Sequence, residues 1–183
     1  MPFNFEKTEI AEVILVKPRV FPDERGFFLE TYKQSDFMKN GIAVDVFKQD
    51  NHSFSTEGVI RGLHYQLPPM EQGKLVRVVK GKVLDFAVDI RKSSKTFLKW
   101  VYRELSDENF QMLWIPPGFA HGFIALSKDV HLMYKCTNEY SPHHEGGIRF
   151  DDPDIHIDWQ YQNPTVSEKD LKVPFLKDAK LFD

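Results

Sequence analysis

The stretch Lys74-Leu75-Val76-Arg77-Val78-Val79-Lys80-Gly81-Lys82-Val83-Leu84-Asp85-Phe86-Ala87-Val88-Asp89-Ile90-Arg91 decides the fold. Two runs rich in Val, Leu, Ile and Phe flank a central glycine, and runs of this composition are typical of β-strands. We predict strands over Lys74–Lys80 and Lys82–Arg91, with a hairpin corner at Gly81.

The same pattern recurs outward along the chain. Only two short segments, Ser35–Asn40 and Ser167–Leu171, carry helix signals, and each begins with a serine that can cap it. Many short strands separated by turns predict an all-β fold, a cupin-like jelly-roll β-barrel or sandwich with a few short helices. The Pro-spaced last segment is expected to wrap the outside. Further strands are predicted over Val13–Val16, Phe27–Tyr32, Val44–Asn51, Gly58–Gln66, Trp100–Leu105, Phe110–Ile115, Gly122–Leu126 and Val130–Asn138.

Length and composition are those of one ordinary globular domain. The chain has 183 residues, 42% of them hydrophobic, so we expect a single domain over 1–183. A formal charge of -3 argues against nucleic-acid binding. Cys136 is the only cysteine, and no segment has the apolar length of a signal or membrane helix. We therefore expect a cytoplasmic protein that binds no membrane.

Strand alternation predicts polar side chains on faces that should point inward. Such groups are costly to bury without partners, so the interior is expected to hold a ligand. The sets expected to share a face are Gln49, Asn51 and Ser53; Gly62, His64 and Gln66; and Leu132, Tyr134 and Cys136.

Two motifs resemble those of cupins, with one informative departure. Metal-binding cupins use a His-His-Glu-His set, and here a lysine stands at the Glu position. A protonated lysine has no free lone pair and repels a divalent cation, so we predict no metal and no cofactor. The motifs are Gly58-x5-His64-x-Gln66 and Pro116-x-Gly118-x-x-His121, and the four ligand positions read His64, Gln66, Lys74 and His121.

A closer resemblance covers nearly the whole chain. Eight motifs in the right order are specific, although each alone is modest, and they resemble the dTDP-4-dehydrorhamnose 3,5-epimerase family. They are Asp23-x-Arg25-Gly26-x-Phe28-x-Glu30, Gln49-Asp50-Asn51-x-Ser53, Arg61-Gly62-Leu63-His64-Tyr65-Gln66, Gln72-x-Lys74-Leu75-Val76, Asp85-x-Ala87-Val88-Asp89-Ile90-Arg91, Gly118-Phe119-Ala120-His121-Gly122-Phe123, Tyr134-Lys135 and Ser167-x-Lys169-Asp170.

The resemblance implies a reaction and a role for each catalytic residue. The family's substrate is dTDP-4-dehydro-6-deoxy-D-glucose, whose C4 ketone acidifies the hydrogens at C3 and C5. Removing and returning a proton needs a base, a stabiliser for the enolate and an acid opposite the base. The resemblance implies His64 as base, Asp170 as its partner carboxylate, Tyr134 as acid and Lys74 as stabiliser. Without it, Asp170 would pass for a solvated surface residue in a charged run.

The resemblance also implies the substrate contacts. Phe28 and Tyr140 would sandwich the thymine, and His121 would bond the sugar. Asp85, Asp89 and Arg91 are interpreted instead as structural, ion-paired residues on one strand. The remaining implied contacts are Arg61, Arg25 and Lys169 for the diphosphate, and Gln49, Asn51, Glu30 and Glu145 for nucleotide and sugar.

Family members are homodimers that exchange N-terminal strands, so the resemblance implies that Arg25, Phe28 and Glu30 serve the neighbouring subunit's site. Three hypotheses stay open beside the double epimerase. One is a relative that epimerises C3 alone or C5 alone, and a second is a non-catalytic jelly roll that binds a sugar nucleotide. The third, a metal-dependent cupin oxygenase, is disfavoured by Gln66 and Lys74.

Overall fold

The computed structural model describes residues 2–42, 45 and 47–183, and strands dominate that part of the chain. The strands are β1 Phe3–Lys7, β2 Ile14–Pro18, β3 Val20–Asp23, β4 Gly26–Leu29, β5 Gln49–Ser55, β6 Val59–Gln66, β7 Lys74–Lys80, β8 Lys82–Asp89, β9 Trp100–Ser106, β10 Met112–Ile115, β11 Phe119–Ala125, β12 Val130–Cys136, β13 Glu145–Gly147 and β14 Thr165–Val166. The helices are α1 Gln34–Lys39, α2 Glu168–Lys172 and the 3₁₀ turn Leu176–Asp178.

Two sheets pack face to face and confirm the jelly-roll prediction. The first sheet has the order β1-β2-β10-β7-β12-β5, and the second has the order β13-β6-β11-β8-β9, with β14 added in parallel to β6. Val76 and Leu132 from the first sheet meet Ala87 and Phe123 from the second in one buried cluster. Burial of this apolar surface between the sheets is the main force that holds them together.

The hairpin prediction at Gly81 is wrong, although both flanking strands are confirmed. β7 pairs with β10 and β12 in the first sheet, whereas β8 pairs with β9 and β11 in the second. Gly81 is therefore a corner between sheets, with φ of +83°. A Cβ there would lie 2.4 Å from the Asp129 carbonyl oxygen and from Ser127 Oγ, so the corner requires glycine.

Most other strand predictions are confirmed in place, with shifted ends. β11 begins at Phe119 rather than Gly122, so its first residues lie on the strand and not in a turn. The predicted strand Val44–Asn51 lies partly outside the described residues, and β5 runs on to Ser55. The prediction did not include β1, β3, β13 and β14.

The two helices differ in how well their capping was predicted. Ser167 caps α2 as expected, because its Oγ accepts the Asp170 amide at 3.1 Å. The Ser35 cap is wrong: α1 begins one residue earlier, after Lys33, and no side chain caps it. No helix among the described residues is long and apolar enough to cross a membrane.

The C-terminal segment covers the outer face of the second sheet, as predicted. Ile148, Ile155 and Trp159 are buried against Ile60 and Phe86. By contrast, β3 and β4 form a separate two-stranded hairpin that pairs with neither large sheet. Its outer aromatic side chains, Phe27 and Phe28, are 60% and 65% exposed.

Candidate active site

A polar cavity of about 460 Å³ opens between the two sheets. Eleven of the fourteen predicted site residues line it, which agrees with the expectation of a ligand in the interior. Its walls comprise Gln49, Asn51, Ser53, Arg61, His64, Tyr65, Gln66, Gln72, Lys74, His121, Phe123, Tyr134, Tyr140, Glu145, Ser167, Lys169 and Asp170.

A histidine–carboxylate pair lies on the second-sheet wall. His64 Nε2 and Asp170 Oδ1 are 2.7 Å apart, although 106 positions separate them in sequence. Burial alone would raise the pKa of Asp170, but hydrogen bonds from His64, the Gly62 amide and Ser167 hold that pKa below its usual value. An ionised Asp170 accepts the Nε2 proton, which leaves Nδ1 of the imidazole free to take a proton.

A β-bulge brings Arg61 to the same wall as His64. Register on the neighbouring strand β11 shifts between His121, opposite His64, and Phe123, opposite Arg61. Three residues along β6 therefore span the same length as two residues along β11. At this point the side chains of β6 no longer alternate strictly between the two faces of the sheet. Gly62 makes this possible, since its φ is +121° and a Cβ would lie 2.6 Å from the Gly122 Cα and the His121 carbonyl oxygen.

A buried lysine and a second histidine–carboxylate pair form the inner end of the cavity. His121 Nε2 lies 2.7 Å from Asp85 Oδ1, and both side chains are buried. Lys74 Nζ donates to the His64 carbonyl oxygen at 3.4 Å. Burial lowers the pKa of Lys74, opposed by Cys136, Asp85 and Glu145, and burial likewise lowers the pKa of His121. Burial therefore favours the uncharged form of both groups at the inner end.

Tyr134 faces this cluster from the first sheet. The Lys74 ammonium lies 5.9 Å from the centre of its ring. Burial raises the pKa of the Tyr134 phenol, and nearby Cys136 adds to the shift. A phenol that stays protonated at neutral pH can donate a proton to a carbanion or enolate.

Charged groups surround the mouth of the cavity. Glu145 accepts from Lys169 at 2.5 Å and from the Tyr140 hydroxyl at 2.9 Å. Burial would raise the Glu145 pKa, but these two bonds outweigh it and lower that pKa. Arg61 donates to Ser55 Oγ and to the Phe54 carbonyl oxygen, and no carboxylate among the described residues pairs with it. Its charge is available to an anionic ligand.

Three predicted contacts are not brought to this cavity. Arg25, on the β3–β4 turn, pairs with Asp23 at 2.5 Å, and its side chain is 83% exposed. Phe28 tilts against Phe21 on the same hairpin. Glu30 follows β4, and its Oε2 is buried without a partner among the described residues. None of these three side chains lines the cavity of its own chain, so the Phe28–Tyr140 sandwich does not form within it.

Sequence reasoning missed the role of two residues. Asp85 was interpreted as one of several structural strand residues, and its partner is the cavity residue His121. Asp89 and Arg91 do form the expected ion pair, at 2.7 Å. Gln66 lines the cavity, as its inward-facing strand position predicts, but the only role weighed for it was that of a replaced metal ligand. The sequence does carry a signal for the role of Asp85: a charged residue stands between apolar neighbours on a strand, in Leu84-Asp85-Phe86.

Comparison with known proteins decides the family. The model of the dTDP-4-dehydrorhamnose 3,5-epimerase family matches residues 7–178. A protein of that name from Shigella flexneri is 54% identical over 98% of this chain and 99% of its own length. The chain belongs to the dTDP-4-dehydrorhamnose 3,5-epimerase family.

Solved structures of the epimerase family share the fold. The enzyme from Sulfolobus tokodaii has a TM-score of 0.93 at 53% identity, with all of both chains covered. A Legionella pneumophila epimerase in complex with dTDP-4-keto-L-rhamnose has a TM-score of 0.92 at 44% identity, over 96% of this chain and 94% of its own. A 3'-monoepimerase from Streptomyces bikiniensis, in complex with dTDP-quinovose, is more distant, at 30% identity, TM-score 0.87 and coverage of 94% and 87%.

Proposed function

We propose that this chain, as one catalytic domain, epimerises dTDP-4-dehydro-6-deoxy-D-glucose at C3 and C5 to dTDP-4-dehydro-L-rhamnose. The activity is that of the family to which the chain belongs.

His64 is the base in this proposal. Its Nε2 is engaged by Asp170, so Nδ1 is the nitrogen that accepts the C3 or C5 proton. The imidazolium that forms faces an ionised carboxylate at 2.7 Å, which stabilises the charge.

Lys74 stabilises the enolate. As the proton leaves, negative charge develops on the C4 oxygen, and an ammonium near it lowers the barrier most where water is excluded. Lys74 is buried at the inner end of the cavity, which suits this role, while neutral His121, whose Nε2 is held by Asp85, would accept a hydrogen bond from the sugar at Nδ1. Because Lys74 stands at the Glu position of metal-binding cupins, this scheme needs no metal.

Tyr134 returns the proton from the opposite side. The one observation that carries the proposal is that His64 lies on the second sheet and Tyr134 on the first, with the cavity between them. A sugar held in that cavity would have base and acid on its two faces, and inversion at carbon requires this arrangement. Arg61 and Lys169 would bind the diphosphate, while Tyr140, Gln49, Asn51 and Glu145 would contact the nucleotide or sugar.

We further propose that the protein acts as a homodimer in the cytoplasm. The exposed β3–β4 hairpin supports exchange between subunits, since Arg25, Phe28 and Glu30 do not line their own cavity but belong to the family motif. In a dimer, Phe28 of one subunit would complete the aromatic sandwich with Tyr140 of the other.

Proton NMR of the substrate in D₂O, with an NADPH-dependent 4-reductase to trap product, tests the reaction. Deuterium at both C3 and C5 with an L-rhamnose product is the expected result. Deuterium at one carbon alone would identify a single-site epimerase, and none would favour a non-catalytic binding protein. His64→Ala should abolish exchange while dTDP binding persists, and exchange at the normal rate would refute His64 as base.

A further inference from the structure

The loop between β12 and β13, residues 137–144, carries Tyr140 to the mouth of the cavity. It contains bends and turns but no strand or helix, so regular backbone pairing does not set its shape. Half of the Tyr140 side chain is exposed, and only its hydroxyl makes a side-chain hydrogen bond, to Glu145. The position of the ring therefore depends on what holds the loop backbone.

The Gln66 side chain holds that backbone from the second sheet. Its Nε2 donates to the Glu139 carbonyl at 3.1 Å and to the Met70 carbonyl at 2.6 Å. Its Oε1 accepts the Ser141 amide at 2.6 Å. One amide group thus bonds the residues on both sides of Tyr140 and ties them to a neighbouring loop.

Gln49 completes the clamp from the first sheet. Its Oε1 accepts the Tyr140 amide at 2.7 Å, and its Nε2 donates to Asn51 at 2.9 Å. Residues 139, 140 and 141 are consequently bonded in succession by two glutamine side chains from facing sheets.

An amide is the only side chain of this size that satisfies the Gln66 position. Gln66 is 3% exposed, so an unpaired polar group there could not form a replacement hydrogen bond with solvent. A glutamate would keep the acceptor for Ser141 but would present oxygen to two carbonyl groups. A leucine would leave all three loop groups without a partner.

We propose that Gln66 is a positioning residue for nucleotide recognition: it fixes the backbone of residues 139–141, and through it the Tyr140 ring, without touching the reacting sugar. The inference rests on the proposed function, in which Tyr140 stacks on the base. Pre-organising a binding loop lowers the entropy lost on binding, so Gln66 acts on affinity rather than on chemistry.

Hydrogen exchange without ligand tests the clamp by itself. In Gln66→Glu, we expect the Tyr140 and Ser141 amides to exchange at least about tenfold faster, because local opening becomes easier. Gln160→Glu is the matched control, since its amide donates to the Tyr102 hydroxyl away from the cavity. Unchanged exchange in Gln66→Glu would overturn the proposal. If that variant does not fold, Gln66→Asn, which keeps the amide but shortens its reach, takes its place.

Kinetics and a double-mutant cycle test whether Gln66 affects nucleotide binding through Tyr140. Gln66→Glu should raise KM and the Kd for dTDP by about tenfold and change kcat by less than about twofold. In a Tyr140→Ala background the same substitution should change Kd by less than about twofold, because the ring it positions is gone. A fall in kcat alone, or full additivity in the double variant, would overturn the inference. If Tyr140→Ala leaves the Kd for dTDP unchanged, the assigned role of Tyr140 fails and the inference fails with it, even where the exchange result supports the clamp.

Discussion

Replacing Asp170 by asparagine isolates the charge behind the His64 base. The Asp170 carboxylate is 5% exposed and accepts from His64 Nε2 at 2.7 Å. Its pKa is held below the usual value, so it is ionised when His64 takes a proton from the substrate. Asparagine keeps the shape and one oxygen acceptor but removes the negative charge that faces the imidazolium.

The expected magnitude follows from the geometry. Two unit charges with centres about 4 Å apart interact by about 4 kcal/mol at an effective dielectric constant of about 20. A third of the His64 side chain is exposed, so solvent screens part of this, and the amide dipole replaces another part. With about 2.7 kcal/mol lost from the transition state, kcat should fall about 100-fold.

Deuterium wash-in at C3 and C5, followed by NMR, measures this effect directly. Calorimetry with dTDP should give an unchanged Kd, since the diphosphate and base contact other residues in the proposed complex. Asp129→Asn makes the same charge change where the carboxylate pairs with Lys80, outside the cavity, and should retain full activity. A loss in Asp170→Asn of less than about fivefold, with a native melting temperature, would refute the assigned role of the carboxylate.

Three further substitutions separate the other roles. Tyr134→Phe should slow formation of the inverted product about 100-fold while exchange continues at one carbon; NMR showing complete epimerisation at the normal rate would exclude Tyr134 as the acid. Lys74→Met should lower kcat about 100-fold yet raise the melting temperature by about 2–4 °C. Burial lowers the Lys74 pKa, so the charged amine destabilises the folded state at neutral pH, and this penalty fades as pH approaches the ordinary lysine value. A lower melting temperature for Lys74→Met in calorimetry would contradict this prediction. Arg61→Ala should raise KM about 30-fold in steady-state assays with kcat little changed, and an unchanged KM would place the diphosphate elsewhere.

Local sequence predicts the strands of this fold better than their pairing. The composition of Lys74–Lys80 and Lys82–Asp89 marks both strands, but nothing local states that they belong to different sheets. Strand pairing is a long-range property, and a glycine corner has the same local signature in either case. β13, Glu145-Gly146-Gly147, is a strand only because it pairs with β6, since its own residues are poor β formers.

For the site, too, local sequence predicts some features and cannot predict others. The motif around His64 can be found from sequence, but the Gly62 bulge that places Arg61 beside it cannot. Asp170 lies in a charged run typical of a surface helix, and only the fold brings it to His64. The pairing of Asp85 with His121 is equally non-local, which explains why alternation alone suggested a structural role.

The Lys74 ammonium ties the stability of the molecule to its chemistry. It is buried between two histidine–carboxylate pairs, and the carboxylates of Asp85 and Glu145 offset only part of the penalty that burial imposes on it. A residue that served the fold alone would be apolar here, like its neighbours Leu75 and Val76. The unfavourable burial is justified if negative charge develops beside the ammonium during the reaction, because the same low-dielectric surroundings then strengthen the attraction. An enolate oxygen at C4 is such a charge, so a residue that weakens the resting structure is expected to stabilise the transition state.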